Sequence, residues 1–203
     1  MARRATGVEG ASIMLSSGGQ PVCSVSSGEV GGLIEDLQYT LGEGPGLDAD
    51  RLNRPVLVPD LAEPVASRWL AFAGSALDTG VRAVFAFPLR LTMTSLGALG
   101  LYASRPGPLR ADQHAHALVV AAITARAVLE MPWPLTDLEE IAEGGWDLRP
   151  VVHQAAGMVA AQLGIDLEEA SVRLRAHAVG TDRPIVEVAR DVVARHLRLG
   201  DHP

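Results

Sequence analysis

The chain has 203 residues, enough for one large or two small domains, and 48% of them are hydrophobic, as in a globular protein. Its 24 acidic and 17 basic residues give a formal net charge of −7, which argues against a strongly basic nucleic-acid-binding protein. All the basic residues are arginine, and the single cysteine, Cys23, excludes an internal disulfide. No apolar run is long enough to cross a membrane, and none follows residues 1–5 as in a secretory signal, so we expect a cytoplasmic protein.

The first 130 residues alternate between strand and helix patterns. They predict a hairpin (residues 11–15 and 21–25), a helix (29–40), a short strand (56–58), a helix (67–77), a second hairpin (81–91 and 96–102) and a long closing helix (111–130). Strand pairs interrupted by helices are typical of an α+β domain with its sheet covered on one face, which we place at residues 8–130.

Residues 131–149 form a predicted linker. Pro132 and Pro134 end any helix that arrives from residue 111, because proline lacks an N–H and restricts its predecessor. A short acidic helix is expected at residues 135–143. Trp133 and Trp146 flank it and are candidates for packing the two parts of the chain together.

Residues 150–198 predict a bundle of three short helices. Asp166 with Glu169 fits an N-cap and capping-box pair, Gly164 suits a helix C-terminus, and Pro184 suits a first turn. We expect Gly157, inside the first helix, to let helices pack closely. The apolar residues at helical spacing are Val152, Ala156, Val159 and Leu163; Leu167, Ala170, Leu174 and Ala178; and Ile185, Val188, Val192 and Val193. A bundle this small is too thin to enclose an active site, so it is suited to docking.

This run resembles the ANTAR domain, a three-helix RNA-binding module of bacterial antitermination regulators. The positions that match the family's order and spacing, within residues 147–197, are Ala155, Gly157, Gly164, Glu169, Ala170, Leu174, Arg175, Ala178, Arg183, Val188 and Ala189. One position departs from the family pattern, because the lysine before the glycine is Ala156 here. If that lysine contacts phosphate in relatives, this chain has one contact fewer.

The charge of this module limits how it would recognise RNA. Residues 150–203 hold six arginines and seven acids, so attraction to phosphates alone would be weak and recognition would depend on a local face and on stacking with loop bases. The candidate RNA-binding residues are Arg183, which matches the family, and Arg190, Arg173, Gln154 and His177. The alternative is that these are solvated side chains offsetting neighbouring acids.

The first 130 residues resemble the GAF domain, a small-molecule-sensing fold with a six-stranded antiparallel sheet, and most closely the GAF domains that precede ANTAR modules in actinobacteria. The resemblance is carried by residues 37–45, 56–61, 68–69, 80–83, 88–89 and 97–99. It implies a ligand pocket on the free face of the sheet, although aromatic residues are more often core. The candidate pocket residues are Tyr39, Asp60, Trp69, Phe85 and Phe87.

Several ligand classes are not favoured. The glycine-rich residues 42–46 are not a phosphate-binding P-loop, because no lysine follows them, and the motif of cyclic-nucleotide GAF domains is absent. Cys23 fits a buried strand residue better than a chromophore attachment or redox site, and His114 and His116 fit a helix surface better than haem ligands. We therefore expect neither a cofactor nor a metal.

Catalysis is also not expected. One GAF-like family reduces free methionine sulfoxide with several cysteines, whereas this chain has one, and it lacks paired carboxylates and a Cys–His pair at recognisable spacing.

The resemblances predict an RNA-binding antitermination regulator, in which a GAF sensor controls an ANTAR module that binds paired hairpin loops in nascent transcripts. We expect it to act as a homodimer with two tethered contacts. The alternative is a signalling or dimerisation protein whose ANTAR-like bundle makes protein contacts and no longer binds RNA, which Ala156 and the neutral charge favour.

Overall fold

A computed structural model describes residues 8–17, 20–63, 66, 68–91, 94–130 and 147–200. These residues form two compact units, the first made mainly of residues up to Leu148 and the second mainly of residues from Arg149 onward. The predicted acidic helix, Trp133 and Trp146 lie outside the described residues, as do the turn residues Gly18 and Gly19.

The first unit is an α+β domain built around one sheet. Its elements are β1 (Gly10–Ser17), β2 (Gln20–Ser27), α1 (Glu29–Leu41), α2 (Pro45–Leu52), β3 (Val56–Val58), α3 (Leu70–Asp78), β4 (Ala83–Leu91), β5 (Thr94–Ala103), α4 (Ala111–Glu130) and β6 (Asp147–Leu148). The two hairpins, the short strand and the long helix are confirmed. Helix α3 begins three residues later than predicted.

The described strands form a six-stranded sheet in the order β3-β4-β5-β1-β2-β6, with every neighbouring pair antiparallel. The hairpin β1–β2 and the hairpin β4–β5 are joined by β1 pairing with β5, which places Ser12 opposite Gly100 and Gly10 opposite Tyr102. Strand β6 is a difference from the prediction. Asp147 and Leu148 were expected at the end of a linker, but they pair with Ser24 and Cys23 of β2 as an edge strand.

Helices cover both faces of the sheet, whereas the alternating pattern predicted cover on one face. On one face, a hydrophobic cluster joins the strands to small residues of α4, among them Ala117, Ala121 and Ala125. On the other face, α2 packs on β4 and β5, and α1 brings Glu35 against Ser12. Because both faces are covered, β4 is buried along seven consecutive residues instead of alternating.

Helix α2 was not predicted. The run 42–46 has three glycines and read as a loop, yet Pro45 takes the first helical position, where its missing N–H costs nothing. Asn53 ends the helix in the left-handed conformation, with φ of 49°.

The second unit is the predicted three-helix bundle: α5 (Pro150–Leu163), α6 (Leu167–Gly180) and α7 (Ile185–Val193). Its core contains most of the predicted apolar residues, namely Val152, Ala156, Val159, Ala170, Leu174, Ala178, Ile185, Val188 and Val192, together with Ala155 and Ala189. Leu167 is a correction, because it is 55% exposed. It is the first residue of α6, and its position at the helix end leaves its side chain in solvent.

Among the described residues, no helix is both long enough and apolar enough to span a bilayer.

Candidate functional site

Each of the three helices of the second unit is followed by a residue in the left-handed conformation, namely Gly164, Asp182 and Arg195. The residue after α6 positions Arg183. Asp182 has φ of 51°, so the chain turns through the left-handed conformation after α6. The N–H of Asp182 then donates to the carbonyl of Val179 (3.2 Å) and the N–H of Arg183 to that of Ala178 (2.9 Å). This is the Schellman pattern of helix termination, and it fixes the backbone of Arg183 just before α7.

The guanidinium of Arg183 is held by carboxylates of its own unit. Its Nη2 donates to Asp191 Oδ2 at 2.8 Å, and its Nε lies 3.8 Å from Glu187 Oε2. The side chain is 38% exposed. The most family-specific of the predicted RNA-binding residues is therefore accessible, but its charge is already offset by two acids.

The other predicted RNA-binding residues differ in whether their side chains are paired and how exposed they are. Arg173 donates to Glu169 at 2.8 Å, one turn earlier on α6, and is therefore also paired. His177 is half-buried, and its carbonyl accepts a hydrogen bond from Thr181. Gln154 on α5 and Arg190 on α7 are exposed. Arg190 has no ion-pair partner among the residues that the structure describes.

Two positions of the family motif in α5 are placed differently from expectation. Gly157 is exposed, and an added Cβ would meet nothing within 4 Å, so the expectation that it serves close helix packing is wrong. Ala156 is 2% exposed and lies in the core of the bundle. A lysine at position 156 would have to extend its methylene stem past neighbouring side chains before its ammonium reached water.

Sequence reasoning missed two arginines that follow α7. Arg195 and Arg198 are exposed, and neither has an ion-pair partner in the described part of the chain. The available sequence signal was local charge: residues 190–200 contain three arginines and one acid, although the unit as a whole is near neutral.

In the first unit, the five predicted pocket residues do not come together. Phe85 and Phe87 point into the hydrophobic cluster under α4, and Phe87 makes an edge-on contact with the ring of His114 at 5.3 Å. Tyr39 and Trp69 are buried outside that cluster. The expected pocket on a free face is therefore wrong for the two phenylalanines, since the face they occupy is covered by a helix.

Asp60 and Trp69 are engaged in bonds that fix loops. Arg82 holds the Asp60 carboxylate through both Nε and Nη2 (2.9–3.2 Å), and the N–H of Ala62 donates to it at 3.0 Å. That backbone bond, together with Arg82, lowers the pKa of Asp60. The indole N–H of Trp69 donates to Asp48 at 3.1 Å.

A polar network lies inside the first unit, on the sheet face opposite α4. The hydroxyls of Ser12 and Tyr102 each donate to Glu35 Oε1 at 2.6 Å, and the amide of Gln38 donates to the same oxygen at 3.1 Å. All four side chains are at least 95% buried. Burial, followed by the charge and hydrogen bond of Glu35, raises the pKa of Tyr102 well above its usual value, so its hydroxyl stays a donor.

The glycine-rich loop 42–46 serves this network and an adjacent helix. The N–H of Gly46 donates to the amide oxygen of Gln38 at 2.7 Å, and a Cβ at Gly44 would approach that amide to 2.6 Å. Glu43 accepts the N–H groups of Ala71 and Phe72 at 2.9 Å and so caps α3 from outside. The loop is thus a structural joint and leaves no cradle for a phosphate.

Cys23 is buried in β2, as expected for a packed strand residue. His116 is exposed on α4, and His114 is half-buried. Within the described ranges, no group of three or more His, Cys, Asp or Glu side chains is arranged to hold a metal ion.

Comparison with known proteins identifies both units. The model of the GAF domain matches residues 1–128, and the model of the ANTAR domain matches residues 146–193. No curated protein matches the chain.

Among solved structures, one similar fold is a domain of a protein assigned as a two-component sensor histidine kinase from Sinorhizobium meliloti. It has 22% identity and a TM-score of 0.50, over 64% of this chain and 85% of that one. A type II free methionine-R-sulfoxide reductase from Thermoplasma acidophilum is also similar, with 17% identity and a TM-score of 0.43, over 61% of this chain and 80% of that one. At these identities the likeness concerns the fold alone.

Proposed function

Because the chain belongs to the GAF-domain family and carries an ANTAR domain after its GAF domain, we propose that it is a regulator of transcription antitermination that binds RNA. The observation that carries the proposal is the ANTAR match over residues 146–193 in the same chain as a GAF domain. The GAF domain receives a signal, such as a small molecule, and the ANTAR domain holds paired hairpin loops of a nascent transcript. Holding those loops keeps a competing terminator hairpin from forming.

Recognition by this ANTAR domain depends on guanidinium groups. The chain has no lysine, and residues 147–203 contain no phenylalanine, tyrosine or tryptophan. Stacking on unpaired bases therefore falls to histidine rings, such as that of His177, and to arginine side chains, whose planar guanidinium also pairs with phosphate. Arg183 is the first candidate, because it is accessible and its backbone is fixed.

We expect Arg183→Ala to weaken RNA binding by about 1–3 kcal/mol, since a side chain that clamps a base or phosphate is lost. Fluorescence anisotropy with an RNA selected from a library of tandem hairpins with randomised loops measures this. Arg105→Ala, an exposed arginine of the GAF domain, is the matched control and leaves affinity unchanged. Asp191→Asn frees the Arg183 guanidinium from its 2.8 Å partner and is expected to strengthen binding. Equal affinity of the wild type and the Arg183 variant would remove this residue from the site.

We also propose a homodimer formed through α4. One side of this helix is buried in the GAF domain at Ala117, Ala121, Ala125 and Val128. The other side exposes large apolar side chains at helical spacing, namely Leu118, Val119, Ile123 and Leu129, each 45–57% exposed. Contiguous apolar patches on a protein surface mark interaction sites, which supports an interface on this face of α4. A dimer brings two ANTAR domains to one RNA, so two weak contacts act together.

Ile123→Glu is expected to convert the dimer into a monomer, because it buries an unpaired carboxylate at the centre of the stripe. Light scattering coupled to gel filtration gives the mass directly. Leu70→Glu is the matched control: Leu70 is an 80% exposed leucine on α3, and its replacement leaves the mass unchanged. A wild type that is monomeric at micromolar concentration contradicts the dimer proposal.

We propose no catalytic activity and no cofactor for either domain, and a cytoplasmic location where transcripts are made. The second candidate function is that of a signalling or dimerisation protein whose ANTAR domain binds protein instead of RNA. The pairing of Arg183 and Arg173 with carboxylates favours it. A folded protein that retains no RNA from the hairpin library at low salt would decide for this second function.

A further inference from the structure

A groove of about 400 Å³ lies within the ANTAR domain, between α5 and the chain that follows α7. Met158 and Gln162 line it from α5, and Val192 from α7. Arg195, Leu197 and Arg198 complete it from the other side. Its volume falls within the range of roughly 300–1,000 Å³ that small-ligand pockets have.

The groove exists because the chain reverses after α7. Arg195 adopts φ of 61°, and the N–H of His196 donates back to the carbonyl of Asp191 at 2.8 Å. The following segment is held against α5, since Leu199 is buried and its carbonyl accepts a hydrogen bond from Gln162 Nε2 at 3.4 Å. The two walls are therefore parts of one folded unit.

The groove carries two arginines whose charge is not offset by a nearby acid among the described residues. Arg195 and Arg198 are exposed and have no ion-pair partner in the described part of the chain, whereas Arg183 and Arg173 are both paired with acids. Arg195, Leu197 and Arg198 also lie beyond residue 193, where the match to the ANTAR model ends. One side of this groove is therefore built by residues outside the family match.

We propose that this groove binds one unpaired nucleotide of an RNA loop. The base contacts the apolar side chains of Met158 and Leu197, and the amide of Gln162 pairs with the base edge. Arg195 and Arg198 hold the flanking phosphates, where a guanidinium can bond bidentately. This assignment rests on the proposed RNA-binding function and adds a contact site separate from Arg183.

An acidic protein segment would also be attracted by two arginines. The RNA nucleotide is favoured because the groove combines apolar side chains, such as Met158 and Leu197, with the amide of Gln162, which can pair with a base edge. Binding of an acidic peptide instead of RNA is one result that would overturn the proposal.

The test uses the full chain and an RNA selected by the wild type from tandem hairpins with randomised loops. The variant is Arg195→Asn with Arg198→Gln; asparagine tolerates the left-handed conformation of residue 195, so the turn is kept. We expect binding to weaken about tenfold or more. The negative slope of log affinity against log salt concentration should become shallower by roughly 1.4, about 0.7 for each lost single-strand phosphate contact. Arg54→Gln with Arg105→Gln removes two exposed arginines of the GAF domain and leaves both quantities unchanged.

The outcomes separate this proposal from the proposed function. If the wild type selects no RNA, both fail. Suppose instead that the wild type selects RNA, and that Arg183→Ala weakens binding while the double variant does not. The groove proposal is then overturned, and the proposed function stands. Ultraviolet crosslinking with mass spectrometry gives an independent reading. Crosslinks at residues 158–162 or 195–198 support a base in the groove, and crosslinks confined to other residues exclude it.

Discussion

Gly97→Ala is expected to prevent the GAF domain from folding, at a cost of more than about 4 kcal/mol. Gly97 lies in β5 with φ of 140°, a conformation that side-chain-bearing residues rarely adopt. A Cβ there would overlap the carbonyl oxygen of Met14 and approach Leu15 Cα to 2.9 Å. Because both neighbours are backbone of the paired strand β1, no side chain can move aside, and the pairing of β1 with β5 has to separate.

Urea unfolding followed by circular dichroism measures this loss. Gly74→Ala is the matched control, since Gly74 is exposed inside α3 and an added Cβ meets nothing within 4 Å. We expect it to stabilise the domain by about 0.5–1 kcal/mol, as is usual for glycine replaced by alanine inside a helix. A soluble Gly97→Ala protein with the unfolding midpoint of the wild type would show that β1 and β5 are not paired as described.

Glu35→Ala has the second-largest expected effect, a loss of about 3 kcal/mol or more. The variant removes the one oxygen that accepts from Ser12, Tyr102 and Gln38. All three donors stay buried, and among the described groups the two hydroxyls, 2.6 Å apart, can then bond only to each other, so one hydroxyl and the Gln38 amide lose their acceptor. A buried donor left without its acceptor costs about 1–3 kcal/mol. The loss therefore reflects the partners left behind more than the carboxylate itself.

Glu35→Gln is the informative comparison, because its amide keeps an oxygen at the same distance from the backbone and so preserves one acceptor. We expect its free energy of unfolding to lie between that of the wild type and that of Glu35→Ala. If both variants match the wild type in urea unfolding, the network contributes nothing to stability.

The sequence predicted most elements of both domains, because their periodicity is local. The hairpins, the long helix 111–130 and the three helices of the ANTAR domain follow from spacing and from caps such as Asp166, whose side chain accepts the N–H of Glu169 at 2.8 Å. Helix α2 could not be found in this way, since its start lies among glycines that serve Gln38, six to eight residues earlier.

The site was less predictable because its interactions are not local. Glu35 looked like a surface acid on α1, and only partners 23 and 67 residues away make it a buried acceptor. The pair of Arg183 with Asp191 spans eight residues, beyond the three- and four-residue spacings by which helix pairs are recognised. Phe85 and Phe87 lie two residues apart in β4 and therefore share a face of the sheet. Because β4 is buried on both faces, its sequence does not show which of the two faces they occupy.

The difference in sequence separation between the two domains has a consequence for how they form. In the GAF domain, β1 cannot pair with β5 until residues 10 and 102 have met, and that sheet is the core of the domain. In the ANTAR domain, each helix is ended by hydrogen bonds that reach back five residues, and its three helices lie within residues 150–193. Chains dominated by local contacts fold faster than those that close long loops, because less chain entropy is lost before contacts form. The ANTAR bundle, although last in the sequence, is thus the part suited to fold first.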